Sequence, residues 1–175
     1  MPANVEIKAT LRDRGGALAT AARLADSGPE IIQQEDYFFH CRGARLKLRI
    51  FDTAHGELIF YQREDGTGPR LSHYSIARTT DPQILYRILA RTLGVLGTIR
   101  KTRTLYLAGQ TRIHIDQIPG LGDFLELEVV LHEGQSREDG KNIANRLLAE
   151  FGISSEEAIA VSYLDLVLAK RKSRG

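Results

Sequence analysis

The chain has 175 residues, 42% of them hydrophobic and 26% charged, ordinary proportions for one globular domain long enough to bury a sizeable core. Its net charge of +2 is too small for bulk nucleic-acid binding, and no stretch approaches the roughly 18 uninterrupted apolar residues of a membrane span. A single cysteine, Cys41, excludes an internal disulfide and a cysteine-rich zinc site; without an apolar signal segment, the default expectation is the cytoplasm.

The first element, Val5–Arg12, alternates and predicts a strand. Val5, Ile7, Ala9 and Leu11 share one face; Asn4, Glu6, Lys8 and Arg12 share the other. An alanine-rich helix is expected over Ala17–Asp26, stopped near Ser27, Gly28 and Pro29. Strands follow around Ile31–Phe39, Ala44–Phe51 and Glu57–Arg63, then a loop over residues 64–69 and a weaker strand at Ser72–Thr79. Asp81 and Pro82 open a helix as N-cap and first-turn proline. Its Ile84, Leu85, Ile88, Leu89 and Leu93 form one stripe before Gly94 ends it. Three more strands are predicted at Thr98–Leu107, Gln110–Gln117 and Asp123–Leu131. Ser136 caps a helix carrying Ile143, Leu147, Leu148 and Phe151, and a short helix closes the chain. The order is α+β and predicts one domain over residues 1–175, with residues 170–175 a frayed basic tail.

Charge is sorted by strand. Leu125, Leu127, Val129 and Leu131 point one way, while Glu126 and Glu128 lie side by side on the opposite face. Second neighbours on a strand are about 7 Å apart, close enough for two carboxylates to bracket a divalent cation. Arg45, Lys47 and Arg49 make a purely cationic face; Lys101 and Arg103 share another; Arg112, His114 and Asp116 mix both signs. Tyr61 and Arg63 oppose Leu58 and Phe60. Two architectures fit: an antiparallel sheet with its charges in water, or a closed barrel whose charged faces line a lumen and whose apolar faces pack outward against helices. Segregation of cations from carboxylates suits a polyanionic, metal-bound ligand. Two carboxylates confined together repel, so one of Glu126 and Glu128 is expected to hold its proton more tightly than usual.

Glu6 and Lys8 resemble the ExExK signature of the CYTH superfamily, the triphosphate tunnel metalloenzymes. The residues from Ile99 to Gly109, then Arg112 to Asp116, then Gly120-Leu121-Gly122-Asp123-Phe124-Leu125-Glu126-Leu127-Glu128 are similar to the class IV adenylate cyclase branch, as are Ser162, Tyr163 and Leu164. The resemblance spans essentially the whole chain. It implies an antiparallel barrel or tunnel holding a triphosphate and one or two Mg²⁺ or Mn²⁺ ions. By position, Glu6, Glu126 and Glu128 would be metal carboxylates, with Asp116 a further ligand or support and Asn4 an additional oxygen donor. Lys8, Lys47, Arg49, Lys101, Arg103 and Arg112 would contact phosphate, with Lys8, Arg103 and Arg112 catalytic. Arg63 would stand in for a further phosphate-binding lysine, and His114, facing the expected lumen by its own strand position, reads as a phosphate contact or a proton carrier. A homodimer is implied by analogy alone.

Several positions depart from the family pattern. Asn4 stands where the first glutamate belongs, which removes one formal charge but keeps a carbonyl oxygen. The family commonly has Ser-Arg-x-Glu where this chain reads Ser72-His73-Tyr74-Ser75, and Tyr61 replaces a frequent lysine, with Arg63 standing in. The expected functions are ATP cyclisation to cyclic AMP and pyrophosphate, hydrolysis of an inorganic, thiamine or nucleoside triphosphate, or non-catalytic polyphosphate binding. His55 reads as a turn residue, His40 beside Cys41 as structural, and Asp123 as a turn-fixing group. Gly66 and Gly68 lack the following Gly-Lys-Ser/Thr of a P-loop.

Overall fold

The computed structural model describes residues 3–63 and 68–174. Eight antiparallel strands close into a barrel: β1 (Ala3–Leu11), β2 (Ser27–Phe39), β3 (Arg45–Ile50), β4 (Gly56–Arg63), β5 (Arg70–Thr79), β6 (Val95–Ala108), β7 (Thr111–Ile118) and β8 (Gly122–Val130). Around the ring the order is β1-β5-β4-β3-β2-β6-β7-β8, and closure comes from β1, which pairs with both β5 and β8. The open-sheet alternative is thereby set aside. Part of the expected 64–69 loop lies outside the described residues, including Gly66.

The apolar strand faces point outward, under helices. Val5, Ile7, Ile113, Ile115, Leu125, Leu127 and Val129 form one buried cluster with Ala17 and Ala21 of α1 (Arg14–Leu24) and Ala144 and Leu148 of α3 (Arg137–Glu150). Burying each large side chain there contributes about 1.5–3 kcal/mol. Gly140 permits the close seating of α3, because a Cβ at that position would meet Val5 Cγ2 at 2.6 Å. A second helix, α2 (Pro82–Leu93), covers Phe39, Leu48 and Ile50 with Leu85, Tyr86, Leu89 and Ala90.

Several boundaries differ from the sequence expectation. α1 begins at Arg14, where the Asp13 carboxylate accepts the Gly16 N–H, and β2 begins at Ser27, ahead of the expected Ile31. The α2 stripe divides, with Leu85 and Leu89 packed inward and Ile84, Ile88 and Leu93 exposed. Asp81 occupies the α2 N-cap without a capping side-chain bond. Ser136 caps α3 in a reciprocal box with Asp139, as its position predicts. Lys170, Arg171 and Lys172 form the last turn of α4 (Tyr163–Lys172), where cations complement the helix dipole.

α4 seals one end of the barrel. Tyr163 and Leu164 pack against Phe38, Ile99, Ile118 and Phe124, and the Tyr163 and Phe124 rings meet edge to face at 5.0 Å. Gly97 on β6 leaves room for Leu164. The Ser162 cap is boxed by Asp165, which also pairs with Arg45 at 3.4 Å.

Candidate active site

The lumen is a cavity of about 390 Å³, within the range of small-molecule sites. Register explains several of the encounters between charges. On the β1–β8 ladder Glu6 lies opposite Glu128 and Lys8 opposite Glu126; on β7–β8 His114 lies opposite Glu126 and Arg112 opposite Glu128. On β6–β7 Arg103 lies opposite Asp116. Directly opposed side chains are about 5 Å apart, so each charge is delivered beside its partner by hydrogen bonding of the backbone.

Every described candidate lines this space or bonds to side chains that do. Asn4, Glu6, Lys8, Lys47, Arg49, Arg63, Lys101, Arg103, Arg112, His114, Glu126 and Glu128 all line the cavity. Asp116 does not. It is fully buried, Arg103 donates to both its oxygens at 2.7 Å, Lys101 donates at 3.3 Å, and the Tyr163 hydroxyl donates at 3.0 Å. Its oxygens are already engaged by three lumen-lining groups, Arg103, Lys101 and Tyr163, which fits an anchor for two lumen cations better than a metal ligand.

Asp36 is a second anchor, and sequence reasoning missed it. Arg49 clasps it through two bonds of 2.8 Å and Lys47 approaches at 3.2 Å. The signal was present: Gln34 and Asp36 share strand parity with Ile32 and Phe38, all of which line the lumen. Tyr163 gave no such signal because it arrives from a helix. Its ring lies 3.7 Å from the Lys8 ammonium and 5.0 Å from that of Lys101, a cation–π contact that holds two lysines without neutralising them.

The departures from the family pattern sort by direction. His73 is exposed, whereas Ser72 and Tyr74 line the lumen, so the His73 replacement lies outside the cavity. Arg63 does enter, and pairs with Glu6 at 2.9 Å. His55 is exposed and paired with Asp52, as a turn residue should be.

Burial would raise the Glu126 carboxyl, but Lys8, Arg103 and Lys101 outweigh it and hold the group well below the usual carboxylate range. The expectation of a tightly held proton therefore fails for Glu126: cations, not the second carboxylate, dominate its surroundings. Burial, with smaller help from Arg103, lowers His114 to about 4, so its imidazole is neutral at pH 7.

Burial first, and Arg103 second, pull Lys101 down to about 7, against a partial counter-effect from Asp116. An anionic ligand favours the ammonium form. Triphosphate binding should take up a proton between the free and bound pKa values, with affinity full below about pH 7 and falling above it. Calorimetry at pH 8 in two buffers of different ionisation enthalpy should show uptake approaching one proton; none would exclude Lys101 from the contact. The same depression predicts that the ligand-free protein gains stability from about pH 7 towards 10.5, since the unfolded chain binds the extra proton there.

Three residues meet the requirements of a metal site. His114, Glu126 and Glu128 each offer an atom within 4.8 Å of the others. Asn4 Oδ1 and His114 Nδ1 are buried without a hydrogen-bond partner among the described residues, so donor atoms inside the lumen are free to accept an ion. The hard oxygens of Glu6, Glu126 and Glu128 suit Mg²⁺ or Mn²⁺.

A closed antiparallel barrel lined by facing cations and carboxylates is the architecture of a triphosphate tunnel protein. The CYTH domain profile matches residues 2–163, and the chain belongs to that family. It is 26% identical to adenylate cyclase CyaB of Aeromonas hydrophila, covering 93% of this chain and 87% of that protein. It is equally 26% identical to a Methanocaldococcus jannaschii protein with a provisional adenylate cyclase name, covering 93% of this chain and 97% of that one. Among solved structures, the PH1012 protein of Pyrococcus horikoshii superposes with a TM-score of 0.82 at 21% identity, over 93% of this chain and 98% of that one. A provisionally named adenylyl cyclase from Hippeastrum, whose dominant activity is that of a triphosphatase, superposes at 0.63 with 18% identity, over 97% and 96% of the two chains.

Proposed function

We propose that this enzyme uses a divalent metal to convert ATP to cyclic AMP and pyrophosphate, in the manner of class IV adenylate cyclases. The observation that carries this is the mixed lining of one cavity. Phosphate-facing cations share it with Ile32, Phe51, Ile59, Ile76 and Leu105, an apolar wall that a bare polyphosphate does not need but a nucleoside does.

In that reaction the ribose 3′ oxygen bonds to the α-phosphorus, the bond from that phosphorus to the bridging oxygen breaks so that this oxygen departs on pyrophosphate, and the hydroxyl proton passes to solvent water. The chain's own work is positioning and charge stabilisation. Arg103, fixed by Asp116, and Lys8 and Lys101, fixed by Tyr163, present donors with little freedom left to lose. Arg112 is half-exposed and pairs with Glu128 at 3.2 Å; in this reading it follows the leaving pyrophosphate. A bound metal, held by Glu6, Glu126 and Glu128, would supply charge neutralisation on the phosphate oxygens.

The second reading is hydrolysis of a triphosphate, favoured by the triphosphatase activity of the Hippeastrum protein. Non-catalytic binding is motivated by Asn4 and by the Arg63–Glu6 pair, which occupies a metal carboxylate. Incubation with ATP or tripolyphosphate and Mg²⁺ or Mn²⁺ separates the three. Cyclic AMP with pyrophosphate is expected, and loss of product in Glu128→Gln ties it to the site. Orthophosphate without cyclic AMP would overturn the cyclase reading in favour of the hydrolase. Binding with no product above the Glu128→Gln control would leave a binding module. The reading also takes the chain as cytoplasmic, supported by the free, exposed Cys41.

A further inference from the structure

We propose that His114 Nδ1 is a nitrogen ligand to the divalent ion at Glu126 and Glu128, and that it biases the site towards first-row transition ions such as Mn²⁺ and Co²⁺ over Mg²⁺. This rests on the metal-dependent reading above and goes beyond it, because oxygen ligands alone account for Mg²⁺.

Three observations carry the assignment. His114 is 3% exposed, yet its Nδ1 has no hydrogen-bond partner among the described residues. An orphaned ring nitrogen in a buried site loses its hydration with nothing in return unless something occupies it. The nearest carboxylate oxygen, Glu128 Oε1, is 3.9 Å away, too far for a hydrogen bond. Finally, one ring nitrogen of His114 and one oxygen from each of Glu126 and Glu128 form a compact triangle within 4.8 Å. Ligands of a single ion with bonds of about 2.1 Å are roughly 3–4 Å apart, so small side-chain rotations would close the set.

The backbone explains why these three meet. His114 lies directly opposite Glu126 across β7–β8, and Glu128 is the next inward residue along β8. With its proton on Nε2, the ring presents a lone pair from Nδ1. Imidazole nitrogen gives little to Mg²⁺, which prefers oxygen, but strengthens binding of first-row transition ions, in the order Mn²⁺ below Co²⁺.

The test is metal binding by the protein without nucleotide. Pulsed EPR of bound Mn²⁺ should show nitrogen coupling in the wild type, altered on uniform ¹⁵N labelling. His114→Gln should abolish the coupling and raise the Mn²⁺ Kd roughly tenfold or more, while the Mg²⁺ Kd changes by less than about threefold. Mn²⁺ bound with no nitrogen coupling in the wild type overturns the proposal, and needs no variant to fold. So does coupling that persists in His114→Gln. In either case Glu128→Gln still decides the broader reading: if it weakens Mn²⁺ binding, the carboxylate metal site survives and only the histidine ligand is lost. Failure of the wild type to bind Mn²⁺ overturns both.

Discussion

In a Glu126→Gln/Glu128→Gln protein, the Mn²⁺-dependent rise in Tm is expected to disappear and turnover to fall by about 10³-fold or more. For the wild type, metal at about 100 times its Kd should contribute roughly 2.7 kcal/mol, which for a chain of this size is a shift of about 5–10 °C. Gln keeps the shape and removes the charge. The unliganded fold should survive, because Arg103 retains both bonds to Asp116 and Arg112 is close enough to solvent to be hydrated. The measurement is thermal melting with and without Mn²⁺ for both proteins, beside product formation. A metal-dependent shift of unchanged size in the variant would place the ion elsewhere.

Asp116→Ala should be the most destabilising substitution of a polar lumen residue, costing about 3–5 kcal/mol. Asp116 is fully buried, and its removal takes the carboxylate 3.3 Å from the Lys101 ammonium and leaves the Arg103 guanidinium with Glu126, at 3.1 Å, as its remaining carboxylate; the two cations are 5% and 4% exposed. Domains have only about 5–15 kcal/mol in total, so this loss is a large fraction. Urea unfolding should show a lower midpoint at an unchanged slope. Tripolyphosphate should restore part of the loss, since it supplies the missing negative charge to the same two cations. A loss below about 1 kcal/mol would mean that Arg103 and Lys101 find water or another carboxylate, and that Asp116 does not anchor them.

Strand parity made much of the site readable without coordinates. Side chains two apart on a strand share a face whatever the tertiary fold, so Glu126 with Glu128, Lys101 with Arg103, and Lys47 with Arg49 were bound to appear together. The same rule held Asp36 in plain view beside Gln34, and it was overlooked because Ile31–Phe39 contains only one strong charge of that parity. The division of the α2 stripe was not readable: both halves of an apolar helix face look alike until one meets the barrel wall.

What the sequence determined by itself is local: alternation, caps such as Ser136 with Asp139, and the segregation of cations and carboxylates onto different strands. Ring closure through β1 was decided only in three dimensions, because pairing with both β5 and β8 depends on contacts more than a hundred residues apart in the case of β8. That closure converts a solvated charged face into a lumen, and with it comes the electrostatics. Whether Glu126 is held ionised depends on Lys8 and Arg103 arriving from other strands, which outweigh the desolvation that its own position imposes. The anchoring of Lys8 and Lys101 likewise waits on Tyr163, brought across the barrel end by a helix whose destination no periodicity encodes.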